Sequence, residues 1–239
     1  MDRYLKQCPP RVELTRHLLE PLRRLHRANG LPYRAVCTGE TLYRTQRSGF
    51  AHAEYFGTPS TPSELGRYGD PRLLQGIWYG AQDPESALAE TFGRLRAGAP
   101  LSARTTFVAR EELQRLSMAT VEVTRPLRLL DLPRALSKLR LTADQITSGD
   151  YTLTQTLVRI VLAMPGLDCD GIAYCSRHYQ NGSFCYALWE RPRLVRPVRT
   201  LSLVPLAAFT TVRAGADGVM VDVDAETLLS GELGFSLVE

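Results

Sequence analysis

The feature that most constrains the fold of this 239-residue chain is the stretch from Gly76 to Glu90, which predicts a strand leading directly into a helix. Residues 77–79 are β-branched or aromatic, as suits a half-buried strand. Asp83 and Pro84 then mark a helix start. An aspartate side chain can accept from the free N–H groups of the first turn, and proline is tolerated at the first helical position.

The predicted helix carries a candidate functional carboxylate. Glu90 lies two turns in, eleven positions after Tyr79 at the strand end, so the two side chains could face each other across one cleft. An ordinary alternative is a solvated pair between Glu90 and Arg94, four residues on, worth about 0.2–0.5 kcal/mol. The apolar face of the helix comprises Ala87, Leu88, Thr91, Phe92 and Leu95.

Length and composition exclude several classes of protein. The chain is long enough for one large domain or one domain with appendages. It has no run of about 18 apolar residues and no secretory signal, so we expect a cytoplasmic protein without a membrane span. The cysteines are odd in number and form no Cys-x-x-Cys pair, which argues against a disulfide framework or a metal site; they are Cys8, Cys37, Cys169, Cys175 and Cys185.

Charge is distributed unevenly along the chain. The net charge is +4, the first fifty residues are basic, and residues 211–239 hold six acidic residues and one arginine. We expect these ends to be solvated or to pair with each other. A nucleic-acid patch is the alternative, but no basic run is interleaved with aromatic residues, so no direct nucleic-acid binding is predicted.

Periodicity predicts an α+β or mixed α/β domain of about six to eight strands. Residues 46–75 have no periodicity and form a long loop, which in a compact domain is usually functional. Gln180-Asn181-Gly182 is a candidate turn between two late strands. Helices are predicted over 11–29, 84–95, 111–116, 133–139 and 151–163, with a capping box at 142–145 and a short helix from 225, and strands over 40–45, 77–79, 104–110, 119–130, 170–175, 183–189, 201–204 and 219–223.

Common catalytic motifs are missing from the sequence. It contains no Gly-x-Gly-x-x-Gly after a strand, no Walker lysine loop, no His-Glu-x-x-His and no Gly-x-Ser-x-Gly. A Rossmann dehydrogenase is therefore not expected. His178 lies two residues after Ser176, but such a spacing is usually accidental.

Four separated segments of the sequence are Tyr43-Arg44, Gly66-Arg67-Tyr68-Gly69-Asp70-Pro71, Tyr79 with Ala87-Leu88-x-Glu90, and Gly171-Ile172-Ala173-Tyr174-Cys175-Ser176-Arg177 followed by Gly182 and Cys185. Together they resemble the RES-domain family, over about residues 41–190. The chain departs from the family in two places. Only Arg67-Tyr68 approximates the common Gly-Gly-Arg-Trp-Asn loop, and about 85 residues separate Glu90 from Ser176, so 110–150 is a possible insertion.

The resemblance implies a fold and a domain organisation. The fold would be α+β, with a mixed sheet resembling the ADP-ribosyltransferase fold and an N-terminal helical segment. That segment, residues 1–40, would pack on an NAD-binding catalytic domain at 41–205, followed by an acidic extension at 206–239.

The resemblance also implies a function. Family members look like NAD-consuming toxins, typically inhibited by a small helix-turn-helix antitoxin. This chain would cleave the nicotinamide–ribose bond of NAD by hydrolysis or phosphorolysis, with NAD as substrate, inorganic phosphate as a possible second one, and no metal. Two alternatives stay open: a protein mono-ADP-ribosyltransferase with a defined target, and a catalytically silent binding module.

Roles for individual residues follow from the resemblance as well. The catalytic set would be Glu90, Tyr79 and Arg44, with Glu90 stabilising positive charge on the ribose. Arginine can bind pyrophosphate oxygens in a bidentate manner, tyrosine rings can stack on the bases, and a serine hydroxyl can bind the ribose or a phosphate. The expected NAD-binding residues are Arg44, Arg67, Tyr68, Tyr79, Ser176 and Arg177.

Overall fold

A computed structural model describes residues 11–97, 106–191, 195–214 and 218–239. Three parts of the sequence predictions lie outside these residues: Cys8, the first ten residues of the predicted N-terminal segment, and the first two of the strand predicted over 104–110.

The helices of the described residues lie close to the predicted positions. Short 3-10 turns at Pro62–Glu64 and Leu206–Ala208 and a π-helical turn at Leu228–Glu232 add to them. The α-helices are α1 (Arg11–Arg27), α2 (Pro84–Ala97), α3 (Arg110–Arg115), α4 (Leu132–Leu139), α5 (Ala143–Thr147), α6 (Thr152–Ala163) and α7 (Ala225–Thr227).

Eight strands form one mixed sheet in the order β1-β6-β7-β8-β3-β2-β5-β9, and four more form two small sheets. Within the large sheet, β6 and β7 are parallel and the other neighbours are antiparallel. The α+β prediction with a mixed sheet is confirmed. The strands are β1 (Tyr33–Val36), β2 (Thr41–Arg47), β3 (Ile77–Ala81), β4 (Thr106–Ala109), β5 (Leu116–Val123), β6 (Leu127–Asp131), β7 (Gly171–Tyr174), β8 (Cys185–Trp189), β9 (Val198–Pro205), β10 (Thr210–Ala214), β11 (Met220–Asp224) and β12 (Phe235–Val238).

The sheet is split between β2 and β3. Across residues 41–47 and 77–81, all of them described, Tyr43 and Ala81 are the one paired position. By contrast, β2 pairs with β5 along its whole length, and β3 does so with β8. The two strands therefore diverge from Tyr43 onward and leave a gap in an otherwise continuous sheet.

Apolar side chains fill both faces of the sheet, because successive strand residues point to opposite sides. On β3, Ile77 packs with the helices while Trp78 packs on the other face, beneath the 48–57 loop. Helix α1 buries Leu14, Leu18 and Leu22 and lies against α4 and α6.

Local capping signals in the sequence are confirmed at two helices. The Asp83 carboxylate accepts from Ser86 N–H at 2.7 Å, which caps α2 as predicted. At α5, the hydroxyl of Thr142 and the amide of Gln145 form the predicted capping box. The first of these caps fixes the orientation of the helix that carries Glu90.

The residues after β9 pack against β4 and α2. Strand β12 pairs in parallel with β4, and Phe235 contacts Phe92 of α2 edge-on at 6.3 Å. The Arg213 guanidinium bridges Glu85, at the start of α2, and Glu232 at 3.1 and 2.8 Å. The C-terminal residues thus contact α2 at both ends.

The structure modifies two details of the sequence predictions. The sequence predicts a three-residue turn, Gln180-Asn181-Gly182, between the two late strands. In the structure β7 ends at Tyr174 and β8 begins at Cys185, so the connection is longer and spans residues 175–184. Residues 110–150, predicted as a possible insertion, contribute β5 and β6 to the large sheet. Among the residues described, no helix is long and apolar enough to cross a membrane.

Candidate active site

A cleft of about 560 Å³ opens where β2 and β3 diverge. Its walls come from five parts of the chain: β2, the 63–68 segment, β3 with α2, the 146–151 segment, and residues 174–178. Tyr79 and Glu90 both line it, so the predicted meeting of these two side chains in one cleft is present in the structure.

Glu90 is held by two hydroxyl groups, one on the last residue of β7 and one two residues further on. Ser176 Oγ donates to Glu90 Oε1 at 2.7 Å, and Tyr174 Oη donates to Glu90 Oε2 at 3.2 Å. Each carboxylate oxygen thus has a donor, and hydrogen bonds to a charged acceptor are stronger than neutral ones. The alternative pairing of Glu90 with Arg94 does not occur among the ion pairs of the described residues.

We call Glu90, Tyr174 and Ser176 the Glu90 wall. Tyr174 and Ser176 are buried, so the hydroxyl groups present a fixed geometry to the carboxylate. Burial raises the pKa of Tyr174 well above its ordinary value, and the nearby Glu90 charge raises it further. Tyr174 therefore remains a proton donor to Glu90 throughout the physiological pH range.

Tyr79 stands opposite, in the middle of β3, and contacts a glycine. A Cβ atom on Gly66 would lie 2.7 Å from Tyr79 Oη, so a side chain at that position would displace the ring. The Tyr68 N–H donates to Tyr79 Oη at 3.3 Å, and the Tyr68 ring lies 4.5 Å from that of Tyr174. Burial raises the pKa of Tyr79 above its ordinary value. The Gly66-Arg67-Tyr68 motif therefore positions Tyr79.

Two predicted arginines share one anchor. Arg67 donates to the carbonyl oxygens of Ile146 and Thr147, and Arg177 donates to Thr147 O at 2.9 Å. The Arg67 guanidinium also lies over the Tyr151 ring, 4.8 Å from its centroid. Neither arginine forms an ion pair with a carboxylate of the described residues. Because the partners are neutral, the positive charge of both groups remains available to an anion in the cleft.

Arg44 lies on β2, on the opposite side of the gap from Tyr79 on β3. Its guanidinium donates to Tyr55 O at 2.9 Å and Ala53 O at 3.4 Å, and it lies 5.7 Å from the Trp78 ring centroid. Burial lowers its pKa to about 10, so it is still charged at neutral pH. The Arg44 side chain lies on the face of the sheet opposite to that of Tyr43, as the alternation of strand residues predicts, and it lines the cleft.

His178 does not form a catalytic pair with Ser176, as expected. Its backbone N–H donates to Ser176 Oγ at 3.1 Å, while its imidazole Nε2 accepts from Arg177 Nε at 3.1 Å. The imidazole ring packs against Gly93 of α2, where an added Cβ atom would lie only 2.3 Å from His178 Cγ. Burial, followed by the charges of Arg177 and other arginines, lowers its pKa to about 4. The imidazole is therefore neutral in the cleft.

Several lining residues were not singled out from the sequence. Tyr174 stands in a quoted motif, but its role depends on Glu90, which is 84 residues away. The carbonyl groups of Ile146 and Thr147 could not be identified from the sequence, because every residue has a backbone carbonyl. Tyr151 belongs to no motif of the sequence. Gly93, in the middle of a helix where glycine is costly, was a usable sign of a close contact. Among the described residues, no group of three or more His, Cys, Asp or Glu could hold a metal ion.

Comparisons with known proteins agree with this architecture. Comparison with curated proteins finds no match. Among solved structures, the chain is similar to one titled "Crystal structure of the M.tuberculosis MbcT-MbcA toxin-antitoxin complex", with 18% sequence identity and a TM-score of 0.54, over 92% of this chain and 98% of that chain. At this identity the likeness concerns the fold. The RES domain model matches residues 41–207, well over half of the chain. The protein therefore belongs to the RES domain family.

Proposed function

We propose that this protein is the toxin of a toxin–antitoxin pair and that it cleaves the nicotinamide–ribose bond of NAD in the cytoplasm. The observation that carries the proposal is a carboxylate, Glu90, fixed by two hydroxyl donors inside a cleft lined by arginines and tyrosines. Family membership supports the reaction class, and the complex named in the similar structure supports the biological role.

The chemistry needs no redox step. The bond between ribose C1′ and the nicotinamide nitrogen breaks, and its electron pair leaves with nicotinamide. Positive charge develops on the ribose, as in glycoside cleavage, and Glu90 stabilises it electrostatically. An oxygen of water or inorganic phosphate forms the new bond to C1′ and loses its proton.

The other groups position the substrate in this proposal. Ser176 and Tyr174 hold the carboxylate, and Tyr79 with Tyr68 stacks on or flanks the nicotinamide. Arg67, Arg177 and Arg44 bind phosphate oxygens, since guanidinium groups stay charged and bind such oxygens at two points. We assign NAD binding and cleavage to a catalytic domain at residues 41–205.

The acceptor in the proposed reaction is small. Arginines that hold a pyrophosphate can also hold a free phosphate beside the reacting carbon, which turns attack into a positioned step. We expect NAD loss without any protein substrate, and a faster loss when phosphate is added.

The test is incubation of purified protein with NAD in phosphate-free buffer, with phosphate added back, and identification of the products by mass. Phosphate-independent ADP-ribose would indicate a plain glycohydrolase. Loss only after addition of cell extract, with label on one protein, would replace our proposal by the transferase function. Unchanged NAD under every condition would indicate a silent module.

The proposed partner is a helix-turn-helix antitoxin that covers the cleft between Tyr79 and Glu90. An enzyme that drains NAD harms its host unless it is inhibited. Expression of this chain alone should therefore arrest growth, and Glu90→Gln should relieve the arrest. Normal growth with full expression and falling NAD would contradict the link between activity and toxicity.

A further inference from the structure

A second cavity of about 400 Å³ adjoins the cleft. Arg44, Glu64, Gly66 and Tyr79 line both, so the two cavities meet at the gap between β2 and β3. Glu90 borders the first cavity and not the second. A ligand that reaches from one to the other passes this shared border, where Arg44 supplies a positive charge and Glu64 a carboxylate.

Two aromatic side chains, Phe50 and Tyr55, line the second cavity, and we call them the aromatic shelf. They are 51% and 60% exposed. Their rings are within 11° of parallel, with centroids 6.4 Å apart. Large apolar groups exposed side by side at a cavity form a surface for a flat apolar ligand.

The loop that carries the shelf is fixed by hydrogen bonds to the sheet. Ala53 N–H donates to Thr200 Oγ1 at 2.9 Å, and Trp78 Nε1 donates to Ala53 O at 2.6 Å. Gly57 and Ile77 exchange two backbone hydrogen bonds, at 3.1 and 3.0 Å. The Arg44 guanidinium donates to the Tyr55 carbonyl oxygen. Because the loop is already ordered, a ligand that binds the shelf loses little free energy to ordering it.

We propose that the second cavity binds the adenosine end of NAD, with the adenine ring on Phe50 and Tyr55. This inference rests on the proposed function, which places the nicotinamide end beside Glu90. NAD carries one heterocycle on each side of a pyrophosphate, and the two cavities meet at a border that includes Arg44. The base stacks on the shelf, and the pyrophosphate passes the Arg44 guanidinium.

The experiment combines side-chain removal with substrate truncation. Phe50→Ala and Tyr55→Ala are assayed with NAD and with nicotinamide mononucleotide, which has the scissile bond and lacks the adenosine half. Both variants keep the backbone carbonyls that Gln46 and Arg44 contact. Phe107→Ala, an equally exposed phenylalanine on β4 outside both cavities, is the control.

Base stacking on an aromatic side chain is typically worth about a factor of ten or more. We expect each shelf variant to raise the KM for NAD about tenfold, with kcat unchanged. The kinetics with nicotinamide mononucleotide should be unchanged in both variants. Equal losses with the two substrates, or no loss with NAD, would overturn the proposal.

A binding measurement separates this proposal from the proposed function. Adenosine monophosphate, titrated by calorimetry, should bind the wild-type protein and Phe107→Ala equally, and bind the shelf variants about tenfold more weakly. If NAD is not consumed while this pattern holds, the adenosine site stands and the proposed reaction fails. If NAD is consumed and adenosine monophosphate binds all variants alike, the reaction stands and the site is wrong.

Discussion

The Glu90 wall and the aromatic shelf border adjoining cavities but are built in opposite ways. In the wall, every polar group has a partner, two of the three residues are buried, and their positions come from packing against α2. On the shelf, the backbone is tied down while the rings project into solvent. Under the proposed function, the buried and fully hydrogen-bonded wall would stabilise charge, and the exposed shelf would hold the substrate.

The comparison predicts a division of kinetic effects. Changes in the Glu90 wall should lower kcat, because they remove interactions that stabilise the transition state. Changes on the shelf should raise KM, because they remove contacts made equally in the ground state and the transition state. Two changes outside the shelf test this division and a third tests stability in the same cleft, and they follow in order of expected effect.

Removing the charge of Glu90 should have the largest effect. Glu90→Gln keeps the size and one acceptor oxygen but deletes the negative charge, so kcat for NAD should fall about 10²–10³-fold. The measurement is initial rate together with the melting temperature. Glu20→Gln on the exposed face of α1 is the matched control. Undiminished turnover in the folded Glu90 variant would remove this residue from the reaction.

Arg44 lies at the junction of the two cavities, and its loss should weaken binding. Arg44→Lys keeps a charge but loses the planar group that spans Ala53 O and Tyr55 O. We expect roughly tenfold weaker NAD binding, since hydrogen bonds to charged groups contribute about 1.5–3 kcal/mol. Calorimetry in the Glu90→Gln background avoids turnover. The same swap at Arg23 on α1 is the control, and equal affinities would contradict a contact with NAD.

His178 should affect stability rather than rate. Its pKa is about 4 in the folded protein, against 6.5 as its ordinary value. The unfolded chain therefore binds more protons between those values, so stability is present above about pH 6.5 and declines as pH falls toward about pH 4. The side chain is partly exposed, so the effect is moderate.

The matched variants for this prediction are His178→Gln and His17→Gln, the latter on α1. The melting temperature should fall less between about pH 7 and pH 5 in His178→Gln than in the wild type or in His17→Gln. A fall of the same size in all three would mean that His178 does not titrate as its surroundings indicate.

Local signals in the sequence carried much of the architecture. The cap at Asp83, the capping box at Thr142 and the strand-to-helix unit depend on residues a few positions apart, and all three are present in the structure. The meeting of Tyr79 and Glu90 could be predicted for the same reason. Both lie on elements that are consecutive in the chain.

Features that depend on distant pairing could not be predicted in this way. The gap between β2 and β3 is an absence of hydrogen bonds, which no residue type encodes. The parallel pairing of β12 with β4 joins residues about 130 positions apart. The anchoring of Arg67 on Ile146 and Thr147 uses backbone carbonyls. Such features arise when the sheet closes, and they decide the shape of the cleft more than its composition.

The strand order of the large sheet has a consequence for how the molecule folds. Of the seven neighbouring pairs in it, three are consecutive in the chain and four join strands distant in sequence, so most pairings close long loops before they gain contacts. High contact order of this kind slows folding and prolongs the exposure of unpaired strand edges. The cleft takes its walls from segments that run from β2 to residue 178, and it is complete only when these loops have closed. Activity should therefore appear in one late step during refolding, after most of the helical signal has returned.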